Sequence, residues 1–188
     1  GNAGNIDIQT IGDISISGST PESTAPITDK STVSRISSST VGRGNAGKIT
    51  IDTQNRGKLS LVDGAFISSG LTSTAIGNSQ DITISAREVD LRNQSFIASS
   101  SDGTGDAANV KIDTTGKLEI TNGSFISSDN IGRGKTGDIS LNSDLITLNG
   151  GTIFAFSKGS TGGNIQLITR DLLLLRNLST ISTNSDST

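Results

Sequence analysis

The sequence of 188 residues is long enough for one domain with a buried core, and it contains 23 Gly, 2 Pro and no His, Cys, Met, Trp or Tyr. The lack of His and Cys excludes the common zinc, copper and iron–sulfur sites and the Ser-His and Cys-His nucleophile pairs, so no metal or cofactor is predicted. The net charge is −3 and no basic block or membrane-length apolar run is present, which argues against nucleic acid and membrane insertion.

The first cycle of the chain contains two short strands, a loop and a third strand. A Gly-rich turn leads into an alternating strand at 4–8, and a second strand is predicted at 14–16. Residues 17–34 contain both prolines and no alternation, which indicates a loop insertion that leaves the fold. The third strand is predicted at 35–38, where apolar and polar residues alternate again.

The same three strand patterns recur in order along the rest of the chain. Equivalent positions of the second strand are Leu59, Val89, Leu118, Ile146 and Leu173, separated by 30, 29, 28 and 27 residues. A unit of this size cannot bury its apolar face alone, but stacked copies can. The sequence therefore predicts an all-β, right-handed parallel β-helix (β-solenoid) of about six coils, with three strands and 27–30 residues per coil. A β-propeller fits less well, because its blades need about four strands in 40–45 residues.

We expect residues 1–188 to form one solenoid segment of a longer chain, since the sequence begins within the repeat. In a solenoid, equivalent residues stack in columns that run from coil to coil. Two inward columns are predicted for the first strand: Ile49, Ile82, Val110, Ile139, Ile165; and Ile51, Ile84, Ile112, Leu141, Leu167. The inward column predicted for the third strand is Ile36, Ile67, Ile97, Ile126, Phe154, Ile181.

Three phenylalanines come directly before inward isoleucines of the third strand. Phe66, Phe96 and Phe125 should therefore point outward and stack as an exposed aromatic stripe. Such a stripe is a candidate contact surface for sugar rings or for a neighbouring rod. The alternative is that the rings contact only one another and stabilise the sheet. In the other coils the same column is predicted to hold Arg35, Ile153 and Thr180.

A polar column precedes the third strand. Asp63, Asn93, Asn122 and Asn177 occupy equivalent turn positions, and Gly150 interrupts them. Stacked Asn side chains can hydrogen-bond from coil to coil, so these residues are predicted to form a stacking ladder.

Asp52 and Asp113 are the best candidates for a catalytic pair of carboxylates. They share an outward column and lie two coils apart, about 9.6 Å by strand spacing, which is at the edge of the range for an inverting pair. The alternative is that both are ordinary polar residues of an outer face. No column of Arg or Lys supports catalysis beside them, so an enzyme is not predicted. The repeated "GNAG" turns lack the Lys of a phosphate loop and the Asp of the nine-residue calcium repeat.

Several stretches resemble a known family. "GNAGKITIDT", "LSLVDGAFISSG", "GGNIQLIT" and "DLLLLRNLSTISTNS" are similar to the repeat region of cyanobacterial filamentous-haemagglutinin-like surface proteins, often labelled S-layer family proteins. The resemblance implies a right-handed β-helical rod exported by two-partner secretion through an outer-membrane pore. It also implies a cell-surface adhesin or fibre, and it supplies no catalytic motif.

These observations predict a structural and adhesive segment of an extracellular fibre. Its expected partners are neighbouring copies or further coils of the same protein, and surface polysaccharide. The alternative is a polysaccharide-binding module, or a polysaccharide lyase or hydrolase built on a β-helix.

Overall fold

A computed structural model describes residues 1–18 and 33–186, which form an all-β parallel β-solenoid of about five turns. The predicted fold class is therefore confirmed. The sequence predicted about six coils. Six strands stack in each ladder, and five coil-to-coil interfaces join them, which corresponds to about five turns of the solenoid. The right-handed sense of the coil stays a prediction.

Sixteen strands occur in the described ranges, and each coil contributes a short first, second and third strand. In the last two coils the first and second strands merge, because β13 and β15 are 11 and 12 residues long. The strands are β1 Ile6–Gln9, β2 Ile14–Ser17, β3 Arg35–Thr40, β4 Ile49–Asp52, β5 Lys58–Val62, β6 Phe66–Leu71, β7 Ile82–Ala86, β8 Glu88–Leu91, β9 Phe96–Ser101, β10 Val110–Thr114, β11 Lys117–Thr121, β12 Phe125–Asn130, β13 Ile139–Asn149, β14 Thr152–Lys158, β15 Ile165–Arg176 and β16 Thr180–Asp186.

Three parallel ladders run along the solenoid. The first ladder is β1-β4-β7-β10-β13-β15, and the second is β2-β5-β8-β11-β13-β15. The third ladder is β3-β6-β9-β12-β14-β16. Successive coils pair in register, and the last pairing shifts register between Ser143 and Leu145, where β13 passes from the first ladder to the second. In-register pairing places equivalent side chains above one another.

The core consists of the apolar columns that face the solenoid axis. Both predicted columns of the first strand are confirmed, and they are fully buried in the middle coils. The column of Ile67, Ile97 and Ile126 in the third ladder is fully buried as well. Alternation of apolar and polar residues therefore identified the core correctly through the fourth coil.

The predicted register is wrong by one residue at the third strand of the fifth coil. Ile153 pairs with Ile126 and is fully buried, whereas Phe154 pairs with Ser127 on the outer face. The turn is the reason: three residues, 122–124, separate β11 from β12, but only two, 150–151, separate β13 from β14. Thr152, rather than Ile153, therefore continues the column of Phe125.

Serine hydroxyls tie the third ladder to the Gly-rich turns. The Ser38 hydroxyl donates to the Gly4 carbonyl at 2.8 Å and accepts the Gly47 N–H at 2.9 Å. The Ser128 hydroxyl makes the same pair of bonds in the fourth coil, with the Ala108 carbonyl and the Gly137 N–H, both at 3.0 Å. Each hydroxyl thus joins the turns of two successive coils, which satisfies backbone groups that the corner would leave unpaired.

The predicted loop 17–34 lies largely outside the described residues. Ser17 is the last residue of β2, and residues 19–32 are not described. Val33, directly before the third ladder, is buried and belongs to a small cluster with Phe66, Phe96 and Ala98 on the outer side of that ladder.

Candidate functional site

The outer face of the third ladder carries the aromatic column. The rings of Phe66 and Phe96 lie 4.7 Å apart between centroids with an interplanar angle of 3°, and Phe96 and Phe125 repeat this geometry. The separation matches the strand spacing, because in-register strands carry the rings at their own repeat. The rings point away from the main core, as predicted, and form a separate cluster.

The predicted exposure of this aromatic column is wrong for two of its three rings. Phe66 and Phe96 are only 6% and 8% exposed, and Phe125 is half-buried. The reason is that alternation gives the direction of a side chain, but not what covers it. Both faces of Phe96 are occupied by neighbouring rings, so a sugar ring cannot stack on them.

The two ends of the phenylalanine stack have different chemistry. The Arg35 guanidinium lies 6.0 Å from the centroid of the Phe66 ring, at the limit of a cation–π contact. At the other end, Phe154 is tilted by 39° against Phe125, with the centroids 5.7 Å apart. The stack therefore changes from parallel to tilted geometry in the fifth coil, because Phe154 lies in the column of Ser127 and not in that of Phe125.

A groove with a volume of about 720 Å³ lies beside this stack. The phenylalanine rings form its apolar wall, and small residues of the next two outward columns form its floor. The Ser68 hydroxyl donates to Ser37 at 3.1 Å, and the Ser37 and Ser39 hydroxyls are also 3.1 Å apart. The groove thus offers a row of hydroxyl donors and acceptors next to aromatic edges, and its volume is within the range of ligand clefts.

Substitution of Phe96 by alanine is expected to destabilise the solenoid by about 3 kcal/mol, because it removes the middle ring and leaves a gap between two others. Phe96→Leu should recover part of that stability. Urea unfolding followed by circular dichroism would measure both free energies. A Phe96→Ala protein as stable as the wild type would show that the stack contributes nothing to the fold.

The predicted polar column lies at the turn before the third ladder. The Asn93 side-chain amide donates to the Asp63 carboxylate at 2.8 Å, and the Asn122 side-chain amide donates to the Asn93 Oδ1 at 3.1 Å. Gly150 has no side chain to continue this series, and Asn177 instead donates to the Asn149 side chain at 2.6 Å. Asp63, Asn93, Asn122 and Asn177 have φ between 51° and 58°, a left-handed conformation that Asn and Asp tolerate. The column thus combines turn formation with coil-to-coil hydrogen bonding.

A second set of amide ladders was missed by the sequence reasoning. The side-chain oxygens of Asn2, Asn45 and Asn78 accept the backbone N–H of the equivalent residue in the next coil, at 2.8–2.9 Å. Asp106 continues the column by accepting the Lys135 N–H at 2.7 Å. The repeated Gly-Asn of "GNAG" was the available signal, and it reports hydrogen bonding between coils rather than a ligand loop.

Asp52 and Asp113 share the predicted outward column, with Ser85 between them. Each has a local partner: the Asp52 carboxylate accepts the Gln54 N–H at 2.7 Å, and Asp113 pairs with Lys111 at 3.1 Å. In the described residues, no group of three or more His, Cys, Asp or Glu is placed to hold a metal ion. The ranges 1–18 and 33–186 also contain no helix that could span a membrane.

A chain of ion pairs on the outer face of the second ladder was also missed. Asp90 points outward, yet its side chain is only 2% exposed, because Lys58 and Arg92 each bind it at 2.7 Å. Glu119, in the next coil, pairs with Lys117 at 3.0 Å and lies 3.7 Å from Arg92. The network spans three coils, and no single stretch of sequence shows it.

Acid should weaken the solenoid through Asp90. Burial acts to raise the pKa of Asp90, but hydrogen bonds from Arg92 and Lys58 outweigh it, and the pKa lies below its ordinary value. Because the folded state holds the carboxylate at a lower pKa than the unfolded chain, its stabilisation is present above about pH 4 and is lost as the pH falls through the folded pKa. Asp90→Asn should make the free energy of unfolding depend less steeply on pH below about pH 4. An unchanged pH profile in this variant would contradict the assignment.

No protein-family model, curated protein or solved structure matches the chain. What identifies the chain is therefore its fold, a parallel β-solenoid of about five turns.

Proposed function

We propose that the chain is a structural and adhesive rod segment of an extracellular surface fibre, of the cyanobacterial filamentous-haemagglutinin type exported by two-partner secretion. The observation that carries the proposal is the continuity of three parallel ladders through six strand levels. The family resemblance of the repeat motifs supports the surface location.

A rod is the function that this architecture favours. Backbone hydrogen bonds and amide, serine and phenylalanine columns all join one coil to the next, so bending or separating coils breaks many contacts together. The contacts form without a disulfide, since the sequence has no Cys. Six strand levels give a stiff element roughly 25–30 Å long by strand spacing.

The location can be tested on intact cells that produce the protein. An antibody against the folded solenoid should label intact cells, and external protease should remove that label, while a cytoplasmic marker stays protected. Labelling that requires permeabilised cells would contradict an extracellular fibre.

A second candidate function is polysaccharide binding in the groove beside the phenylalanine stack. The observation that favours it is the row of serine hydroxyls next to an aromatic wall, which suits sugar hydroxyls and the apolar C–H groups of the rings. Calorimetry with surface polysaccharide from the producing cells should give weaker binding for Ser37→Ala combined with Ser68→Ala, because both hydroxyls line the groove. Ser60→Ala, on the second ladder, is the matched control. Equal binding by all three proteins would exclude the groove.

We propose no catalytic role for the chain. Asp52→Ala and Asp113→Ala are therefore expected to leave any polysaccharide-degrading activity of a preparation unchanged. Formation of unsaturated products from pectin or alginate that both variants lack would contradict this proposal and favour a lyase.

A further inference from the structure

Three of the turn asparagines begin an Asn-x-Ser sequence, which is the acceptor sequence for N-linked glycosylation. The three sequences are 93–95, 122–124 and 177–179, and the middle residue is never proline. Each of these asparagines is exposed in a turn before the third ladder. Asn-x-Ser arises readily in a chain rich in Asn and Ser, so the fold around each sequence decides what it means.

The serines of these sequences differ in what they contribute to the fold. The Ser95 hydroxyl donates to the Arg92 carbonyl at 2.7 Å, and the Ser179 hydroxyl donates to the Arg176 carbonyl. Ser124 is fully buried, and its hydroxyl has no hydrogen-bond partner among the described residues. Leaving a buried hydroxyl without a partner is unfavourable. The fold therefore explains the hydroxyl of Ser95 and Ser179, but not that of Ser124.

The second coil shows that this position does not need a hydroxyl. Ala65 occupies the place of Ser124 there and is fully buried as well. The turn of the second coil begins with Asp63, which has no amide nitrogen to accept a sugar. Serine is thus present in the third and fourth coils, where the turn has Asn, and absent in the second coil, where it has Asp.

The surroundings of Asn122 also leave room for a sugar. Asn122 is exposed, and Gly150, which follows it along the column, has no side chain. The next side chain of the column, Asn177, lies two coils away, about 9.6 Å by strand spacing. By contrast, Asn93 lies between Asp63 and Asn122 and is hydrogen-bonded to both. Of the two interior asparagines, only Asn122 borders a gap in the column.

A sugar on Asn122 is compatible with the hydrogen bond between coils. The Asn122 side-chain amide uses one N–H, which it donates to the Asn93 Oδ1 at 3.1 Å. A primary amide has two N–H groups, and glycosylation replaces only one of them. The remaining N–H can keep this bond, so a modified chain can still stack its coils.

We propose that Asn122 is an N-glycosylation site. The Asn122 Nδ2 attacks the anomeric carbon of a glycosyl diphosphate that is bound to a separate glycosyltransferase. The bond between the anomeric carbon and the diphosphate oxygen breaks, the diphosphate leaves with the electron pair, and Nδ2 gives one proton to a base of the transferase. The product is a neutral N-glycosyl amide on the side of the solenoid. This inference goes beyond the proposed rod function and does not depend on it.

Glycosylation of Asn122 should precede the stacking of its coil. A transferase that recognises Asn-x-Ser has to reach the serine hydroxyl, but Ser124 is fully buried in the folded chain. The Asn122 amide is also held by Asn93 once the coils have stacked. The unfolded chain is therefore the acceptor.

Mass spectrometry of the protein isolated from its source tests the assignment. The peptide that contains Asn122 should carry at least one hexose or N-acetylhexosamine, and fragmentation should place the sugar on Asn122. Ser124→Ala produced in the same cells should lose this sugar completely, whereas Ser124→Thr should keep it, because threonine also completes the acceptor sequence. Ser68→Ala lies outside any Asn-x-Ser sequence and is the matched control, which should keep the sugar.

Ser124→Ala should fold as the wild type does, since alanine already fills this place in the second coil, and circular dichroism would measure it. Asn122→Asp copies the turn residue of the second coil and should lose the sugar as well. Wild-type protein without a sugar on Asn122 would overturn the inference, and so would a sugar that stays on Asn122 in Ser124→Ala. An unmodified chain on the surface of intact cells would leave the rod function in place, whereas a glycosylated intracellular chain would contradict the fibre and support the glycosylation site.

Discussion

Replacement of Gly105 by alanine should destabilise the solenoid by more than about 4 kcal/mol, or prevent it from folding. Two effects combine at this turn. Gly105 has a φ of +144°, which side-chain-bearing residues rarely adopt, and a Cβ atom would lie inside the van der Waals radius of the Gly77 carbonyl oxygen in the coil before. The neighbouring coil is itself fixed by three ladders, so the turn cannot move away without separating the coils. Thermal and urea unfolding of the purified variant would measure the loss.

Three other glycines separate the two effects. A Cβ at Gly132 would meet the Gly103 carbonyl oxygen without a positive φ, whereas Gly159 has a φ of +89° and open space around it. Gly42 has neither constraint. Alanine at Gly159 should cost about 1–2 kcal/mol from backbone conformation alone, and alanine at Gly42 should be neutral or slightly stabilising. If Gly105→Ala were as stable as Gly42→Ala, the close stacking of turns would be wrong.

Leu118→Ala is expected to destabilise the protein by about 2–5 kcal/mol, because the side chain is fully buried between Val89 and Ile146 and its removal leaves a cavity. Leu173 ends the same column and is 39% exposed. In the monomer, Leu173→Ala should therefore cost clearly less than Leu118→Ala.

Urea unfolding followed by circular dichroism would measure the loss of free energy of unfolding for both leucine variants. Equal losses would contradict this arrangement, in which Leu118 is covered by a coil on each side and Leu173 by a coil on one side only.

The fold was predictable because its repeat is written in the sequence at every coil. Alternation with period two identified the inward columns, and the turn spacing showed that equivalent residues stack. The prediction is wrong at Ile153 and Phe154, because the turn before them is shorter by one residue and both residues are apolar, so alternation alone does not show which of them points inward. Sequence patterns therefore predicted columns well where the turns are equal in length, and poorly where one changed.

The candidate site was less predictable, because exposure and pairing depend on several coils together. The direction of Phe66 and Phe96 could be predicted from their neighbours, but their burial depends on rings and residues that are about thirty positions away. The same holds for the contact of Asp90 with Lys58, which comes from the coil before, whereas its other partner, Arg92, is only two residues away in the sequence. Patterns within one coil give the face of a residue, and only the stacked structure shows what covers it.

The most direct test of the central claim is cryo-electron microscopy of the protein isolated from its source. The account predicts continuous filaments in which strands lie perpendicular to the fibre axis at about 4.8 Å spacing, with the coils of this chain in line with that axis. Compact particles without a fibre axis, or a fibre whose axis crosses the solenoid, would contradict a rod that acts by extending along its own stack of coils.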